Sequence, residues 1–236
     1  MIIYECFLTL HENTFFSSRE INNFYQTEPL IGNYALAYAL GFAKSEYNNK
    51  GEITYYRDLS ELNDKNIYIT PAKFIEKVKF TLTQFNSISD SYWYKMVNNA
   101  VSTNKEKDSR PINYPQIGWI KMLSIGNKAR FYIISKNQIE IKKYIRLGKF
   151  MSKAKIEYKE YKMDNYIASS ENTTINQILN PLDISKNYKL KNFDIYSINP
   201  VSLIDNVNIE GEFFTLKDTK LPIGMKFNVD FLKGVK

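Results

Sequence analysis

Two stretches of this chain combine residue types able to hold a phosphate. The first, residues 9–20 (TLHENTFFSSRE), sets hydroxyls, an amide, Arg19 and two adjacent rings directly after an apolar opening run. It leads into residues 24–40 (FYQTEPLIGNYALAYAL), which carry Asn33 and Tyr34. A polar, aromatic patch between a strand and a helix suits a ligand at a strand end better than it suits packing. The second, residues 144–155 (YIRLGKFMSKAK), sets Gly148 between Arg146 and Lys149 and adds Lys153 and Lys155 at strand spacing. Glycine lets the backbone turn or approach a ligand closely. Flanking cations with two lysines on one strand face are how a phosphate-cradling loop is built. The same residues also fit a plain turn before a solvated basic face.

His11 is the sole histidine, so zinc sites and mechanisms that need two imidazoles are excluded. A Tyr–Lys–His group could still cleave RNA by general acid/base action, with His11 as acid or base. Its plainer role is to end the first strand and hydrogen-bond locally. Phosphate-binding and dinucleotide-binding glycine motifs and the nucleophile elbow are all absent from the sequence, and no cofactor or metal is expected. Tyr92, Trp93, Tyr94 and Lys95, followed by Lys105, Lys107 and Arg110, mix rings with cations. Bases stack on exposed rings for about 1–3 kcal/mol each, although Trp93 could equally anchor this segment to the core.

The charge distribution supports a polyanionic partner. The 236 residues carry a formal +7. Residues 121–162 hold twelve Lys/Arg against three acids, a net +9. The rest, with twenty Lys/Arg and twenty-two acids, nets −2. An excess gathered into one segment is the footprint expected of phosphate binding. With 44% hydrophobic residues the chain can bury a sizeable core. Cys6 is the only cysteine, so no intramolecular disulfide can form. Glu5 interrupts the opening apolar run and no apolar stretch is long enough to span a bilayer. A soluble, cytoplasmic protein without a membrane partner is expected.

The elements that must position these residues follow from periodicity. Ile2–Leu10 has two apolar faces, as a central strand has. Pro29 suits the first turn of a helix running to about Phe42. A strand is expected at Ile67–Thr70, stopped by Pro71, and a half-exposed one at Val78–Phe85. Residues 86–116 lose periodicity and read as a long insertion, often functional in compact domains. Gly126-Asn127 between two apolar runs, Ile117–Ile125 and Ala129–Ile134, signals a hairpin. Ser152–Tyr158 alternates as a strand with a lysine-studded face. Asn172 could cap a short helix ending before Pro181. Strands are expected at 193–198, 207–216 and 225–231. A mixed α+β fold with antiparallel sheets follows.

The segments TLHENTFFSSRE, YQTEPLIGNYALAYAL, RPINYPQI and YIRLGKFMSKAKI share their order and spacing with a known family. Over roughly residues 1–160 the chain resembles the Cas-five (Csc-one) family of the RAMP superfamily, the crRNA 5′-handle-capping subunit of the type I-D CRISPR Cascade complex. The remaining residues fit that family mainly by length and β content. The resemblance implies an RRM-like, ferredoxin-like core at 1–160 with extra β structure, a thumb near 86–116, and a β-rich part at 161–236 packed on the core. It implies crRNA as ligand, contacts to the backbone and large subunits, and a position near the PAM end of target DNA. Cleavage falls to a separate ribonuclease in that system, so the implied role is binding. By position, Arg19, Asn33, Tyr34, Arg110, Tyr114, Arg146, Gly148, Lys149, Lys153 and Lys155 become RNA-contact candidates. Phe150 stands where relatives often have Trp. Two other functions stay open: a metal-independent endoribonuclease maturing crRNA, and a protein-only assembly subunit.

Overall fold

The apolar N-terminal run forms strand β1 (Ile2–Leu10), and its two apolar faces place it inside a seven-stranded sheet. The structure, a computed structural model, describes residues 1–44, 54–88, 94–97, 100–103, 115–162, 171–217 and 219–233. After β1 come β2 (Arg19–Ile21), β3 (Phe24–Gln26), β4 (Leu30–Ile31), helix α1 (Asn33–Leu40), helix α2 (Tyr55–Asp64), β5 (Ile67–Ile69) and β6 (Ala72–Phe74). Then follow β7 (Phe80–Ile88), β8 (Tyr94–Val97), β9 (Ala100–Thr103), β10 (Pro115–Leu123), β11 (Lys128–Ser135), β12 (Tyr144–Leu147) and β13 (Ser152–Lys162). The large sheet has the order β12-β13-β1-β11-β6-β4, with β5 also pairing β11. A second sheet has the order β2-β3-β10-β7.

Tyr4, Cys6, Leu8 and Leu10 alternate onto one face of β1 and are buried with Phe131, Ala154, Ile156, Ile145 and Leu147. Leu36, Ala37 and Leu40 of α1 belong to the same core. Each large apolar side chain so buried contributes about 1.5–3 kcal/mol. α1 ends at Gly41, whose φ of 81° needs a residue without a side chain.

The C-terminal part runs through β14 (Glu171–Ile175), a 3-10 turn (Pro181–Asp183), β15 (Lys189–Leu190), β16 (Asp194–Tyr196), β17 (Leu203–Asp205), β18 (Val207–Gly211), β19 (Phe213–Thr215), β20 (Lys220–Pro222) and helix α3 (Val229–Leu232). Its Ile175, Val207, Phe213, Phe214 and Phe227 join the same core. Polar ties fix it further. Asp183 Oδ2 accepts from Asn33 Nδ2 at 2.8 Å and from Tyr68 Oη at 3.1 Å. Asn180 Nδ2 donates to Tyr34 Oη, and Lys73 Nζ sits 2.7 Å from Asp205 Oδ1. The result is a strand-rich α+β protein, with three α-helices among the described residues.

Several sequence expectations are corrected. The helix starts at Asn33 rather than Pro29, because Leu30 and Ile31 pair with Lys73 and Ala72 as a strand. Gly126-Asn127 makes a turn but no hairpin: β10 goes to the second sheet and β11 to the first. The Asn127 side chain explains this. It bonds both the N–H and the C=O of Lys79, tying the turn to the approach to β7. Residues 171–175 are a strand, and the capping asparagine is Asn180, on the 3-10 turn. Residues 225–228 are irregular and lead into α3, not a strand. The 86–116 insertion contains the paired strands β8 and β9, and β7 and β10 extend into it. Helix α2 was not foreseen; only Leu59 and Leu62 mark its apolar face.

Candidate nucleic-acid interface

Strands β12 and β13 form an antiparallel hairpin at one edge of the large sheet, with Arg146 opposite Lys153 and Tyr144 opposite Lys155. Ile145, Leu147, Ala154 and Ile156 point into the core. Strand alternation therefore puts Tyr144, Arg146, Lys153 and Lys155 together on the opposite face. On the other side of β13, Thr9 of β1 lies beside Lys155, and Lys128 lies across from Thr9. Glu12 organises this corner. Its Oε2 accepts the Lys153 backbone N–H at 2.6 Å and lies 3.4 Å from Arg146 Nη1. Arg146 Nη1 also donates to the Met151 carbonyl, so the guanidinium is held while most of its donors stay unused among the described residues. Lys153 Nζ lies 4.5 Å from the centre of the Tyr144 ring, close enough for a cation–π contact. Lys155 is different. Its ammonium bonds Glu157 at 2.8 Å, which raises its pKa and lowers that of Glu157. A hollow of about 370 Å³ at this edge is lined by Tyr144, Arg146 and Lys153 and also by Lys142.

The turn between the strands depends on Gly148. Its φ is 71°, and a side-chain carbon there would lie 2.4 Å from the Phe15 carbonyl oxygen. Lys149 N–H donates to that same oxygen at 2.8 Å, and the Phe150 ring rests on Phe15 at 5.3 Å. The close approach permitted by the glycine is thus to the first motif, which joins the two sequence stretches physically. Gly148→Ala combines positive-φ strain with a backbone clash, about 2 kcal/mol or more. A fall in melting temperature of about 4–8 °C is expected, with weaker RNA binding. Thermal melts followed by binding titrations check this.

On the other side of the turn lies a cleft of about 380 Å³. Ser17 and Ser18 of the first motif, Tyr34 and Tyr38 of α1, Tyr55 of α2 and residues 198–201 line it, with Lys149. Asn33 and Tyr34 border the cleft, but both are buried and bond Asp183 and Asn180. Burial pushes the Asp183 carboxyl up to about 7; hydrogen bonds from Asn228 N–H, Tyr68 and Asn33 offset part of that shift. Burial likewise raises the Tyr34 phenol.

Arg19 is half-exposed on β2, its Nε 2.7 Å from the buried Glu28 carboxylate. Tyr94 and Lys95 lie on β8. Tyr92, Trp93, Arg110 and Tyr114 lie outside the described residues. His11 is exposed, with its ring 6.2 Å from that of Tyr144. Sequence reasoning missed Lys142 and Tyr144, although alternation along β12 marks Tyr144 as outward. It also missed Tyr38, Tyr55 and residues 198–201, which no spacing connects to Lys149. Among the described residues no His/Cys/Asp/Glu cluster could hold a metal ion, and no helix is long and apolar enough to cross a membrane.

The described residues thus present a basic, ring-bearing hairpin on a strand-rich α+β core. Residues 1–230 match the type I-D CRISPR-associated protein family Cas5/Csc1, and the chain belongs to that family. It is therefore a protein of a type I-D CRISPR system. A chain in the cryo-EM structure of the type III-B Cmr-beta complex, bound to cognate target RNA and AMPPnP, is similar at 13% identity. That likeness covers 88% of this chain and 86% of the other, with a TM-score of 0.45. Comparison with curated proteins finds no match.

Proposed function

We propose that this chain is a non-catalytic RNA-binding subunit of a type I-D CRISPR interference complex, capping the 5′ handle of the crRNA near the PAM end of target DNA. The observation that carries the reading is the set Arg146, Lys149 and Lys153 around the Gly148 turn. Arg146 keeps most of its donors unused, and the two lysines have no carboxylate partner among the described residues. Phosphates take those positions, and unstacked bases take the adjoining rings, the usual mode for single-stranded RNA. The family's ferredoxin-like core is supported by the antiparallel β13-β1-β11 centre, and its thumb by the β7-β10 pair that extends into residues 86–116, within which β8 and β9 also pair. The experiment is binding and cleavage of labelled repeat RNA by the purified chain, with and without EDTA. Tight, salt-sensitive binding with intact RNA is expected; binding indifferent to salt contradicts the reading.

Contacts to the backbone and large subunits are supported by the second sheet. Cross-strand register brings Trp119 beside Phe24, Phe24 beside Ile21, and Leu82 beside Lys121, and Ile21, Leu82, Ile117 and Trp119 are all exposed. Such a patch marks an interaction surface, and Trp is typical of its energetic centre. Trp119→Glu is expected to leave the melting temperature nearly unchanged and to weaken assembly with the other subunits at least 30-fold. Size-exclusion chromatography of the reconstituted complex checks it.

One observation favours a second reading. His11, Tyr144 and Lys153 come together on the open sheet face beside Arg146. In a metal-independent ribonuclease His11 would take the 2′-hydroxyl proton, the 2′-oxygen would attack the adjacent phosphorus, and the bond from phosphorus to the 5′-oxygen would break as that oxygen takes a proton from solvent water. Lys153 and Arg146 would stabilise the charge on the phosphoryl oxygens. EDTA-resistant cleavage, lost in His11→Ala, decides for this reading.

A further inference from the structure

We infer that the cleft beside Lys149 receives a single unstacked nucleotide of the bound RNA, base inward and phosphate on Lys149. The inference rests on the RNA-binding reading and assigns that RNA a second contact, distinct from the basic hairpin face.

Size sets the first limit. About 380 Å³ lies at the low end for small-molecule sites, room for one nucleotide and not for a stretch of chain. Chemistry sets the second. Among the described residues the lining holds no carboxylate, and its one charge is Lys149. A site for a bare anion gathers several cations, as the hollow at Lys142, Arg146 and Lys153 does. A neutral, ring-lined cleft with one cation matches a base that carries its own phosphate.

The walls are fixed in advance. Tyr34 and Tyr38 each pack against Tyr55, with centroids 5.7 and 5.9 Å apart. Tyr34 Oη accepts from Asn180, and Tyr38 Oη donates to Asp58 at 2.9 Å. Both rings are therefore held before any ligand arrives, which lowers the ordering cost of stacking. Polar groups remain for a base edge. Ser18 Oγ accepts from the Glu28 N–H and keeps its own proton to donate. The Asn199 side chain has no hydrogen-bond partner among the described residues and offers both a donor and an acceptor.

Continuity completes the argument. Arg146 and Lys153 face one side of the Gly148 turn, while Lys149, one residue past the glycine, lines the cleft. An RNA strand crossing the turn would leave its phosphates on the hairpin and turn one base into the cleft.

The test pairs RNA with protein variants. Repeat RNAs carrying one abasic site at each handle position are titrated against the wild-type chain. The position whose base enters the cleft is expected to lose about tenfold or more in affinity, the scale of a stacked base, and positions whose bases lie on the exposed rings of the hairpin clearly less. Ala35 lines the cleft, so Ala35→Trp fills it. This variant should bind more weakly, show no dependence on that one base, and keep the wild-type salt slope. Lys149→Met leaves the cleft open and should preserve the single-position profile while lowering affinity at every position. A flat abasic profile for the wild-type chain overturns the cleft assignment and leaves hairpin binding standing. So does an unchanged single-position profile in a folded Ala35→Trp. Failure of the wild-type chain to bind any repeat RNA overturns both readings.

Discussion

Replacing Arg146, Lys149 and Lys153 together with alanine should lower affinity for repeat RNA roughly 100-fold and remove about 2 from the slope of log K against log salt. Exposed charge contacts are worth at most about fivefold each, which compounds to that loss. Each phosphate contact on a single strand contributes about 0.7 to the slope, so three contribute about 2. The fold should survive, since Arg146 and Lys149 are exposed and none of the three belongs to the core. Lys155→Ala serves as the control. Its ammonium is already paired with Glu157, so a change below threefold is expected even though Lys155 lies only two residues from Lys153. Titrations between 50 and 300 mM salt measure both quantities. An unchanged slope in the triple variant contradicts phosphate binding at the hairpin.

Asp183→Ala should produce the largest loss of stability. The carboxyl accepts from Asn33 Nδ2, Tyr68 Oη and the Asn228 N–H, at 2.8, 3.1 and 3.0 Å. Alanine leaves three buried donors without an acceptor, about 1–3 kcal/mol each. A total near 3 kcal/mol or above is a large part of a typical domain's stability and lowers the melting temperature by about 6–12 °C. The wild-type group also makes stability pH-dependent. Burial raises its folded pKa to about 7, above the roughly 4 of an unfolded aspartate. Between those values the folded chain keeps a proton that the unfolded chain releases. The contribution is therefore full below about pH 4 and is lost as pH rises to about 7. Melting temperature should fall from pH 5 to 7.5 in the wild type, and this component should vanish in Asp183→Asn. A wild-type profile that rises over that range contradicts the assignment.

Parts of this architecture were legible in the sequence because they are local. The two-sided apolar run of β1, the alternation of Ser152–Tyr158 and the glycine between Arg146 and Lys149 each carry their own signal. Two of the failures share a cause: a long-range partner overrode a local preference. Asn127 bonds Lys79 and so separates two strands that Gly126-Asn127 would otherwise have joined. Leu30 and Ile31 found a strand partner at residues 72–73. The candidate site divides in the same way. Tyr144, Arg146, Lys153 and Lys155 share a face by simple alternation, readable once β12 and β13 are recognised. The cleft draws on residues 16–18, 30, 32–35, 38, 55, 149, 198–201 and 203, which only the folded chain brings together. Asn33 and Tyr34 became candidates through the family resemblance; their partners, Asp183 and Asn180, lie about 150 residues away.

The most direct test of the central claim is photocrosslinking in the assembled complex. crRNA bearing 4-thiouridine at successive handle positions would be irradiated and the crosslinked peptides mapped by mass spectrometry, with the length of the recovered RNA read on the same sample. Crosslinks within residues 144–155 and at the cleft-lining residues 16–18 and 198–201, on crRNA of unchanged length, are the predicted result. Handle crosslinks that fall only on other subunits, or only on the Trp119 face of the second sheet, would contradict it.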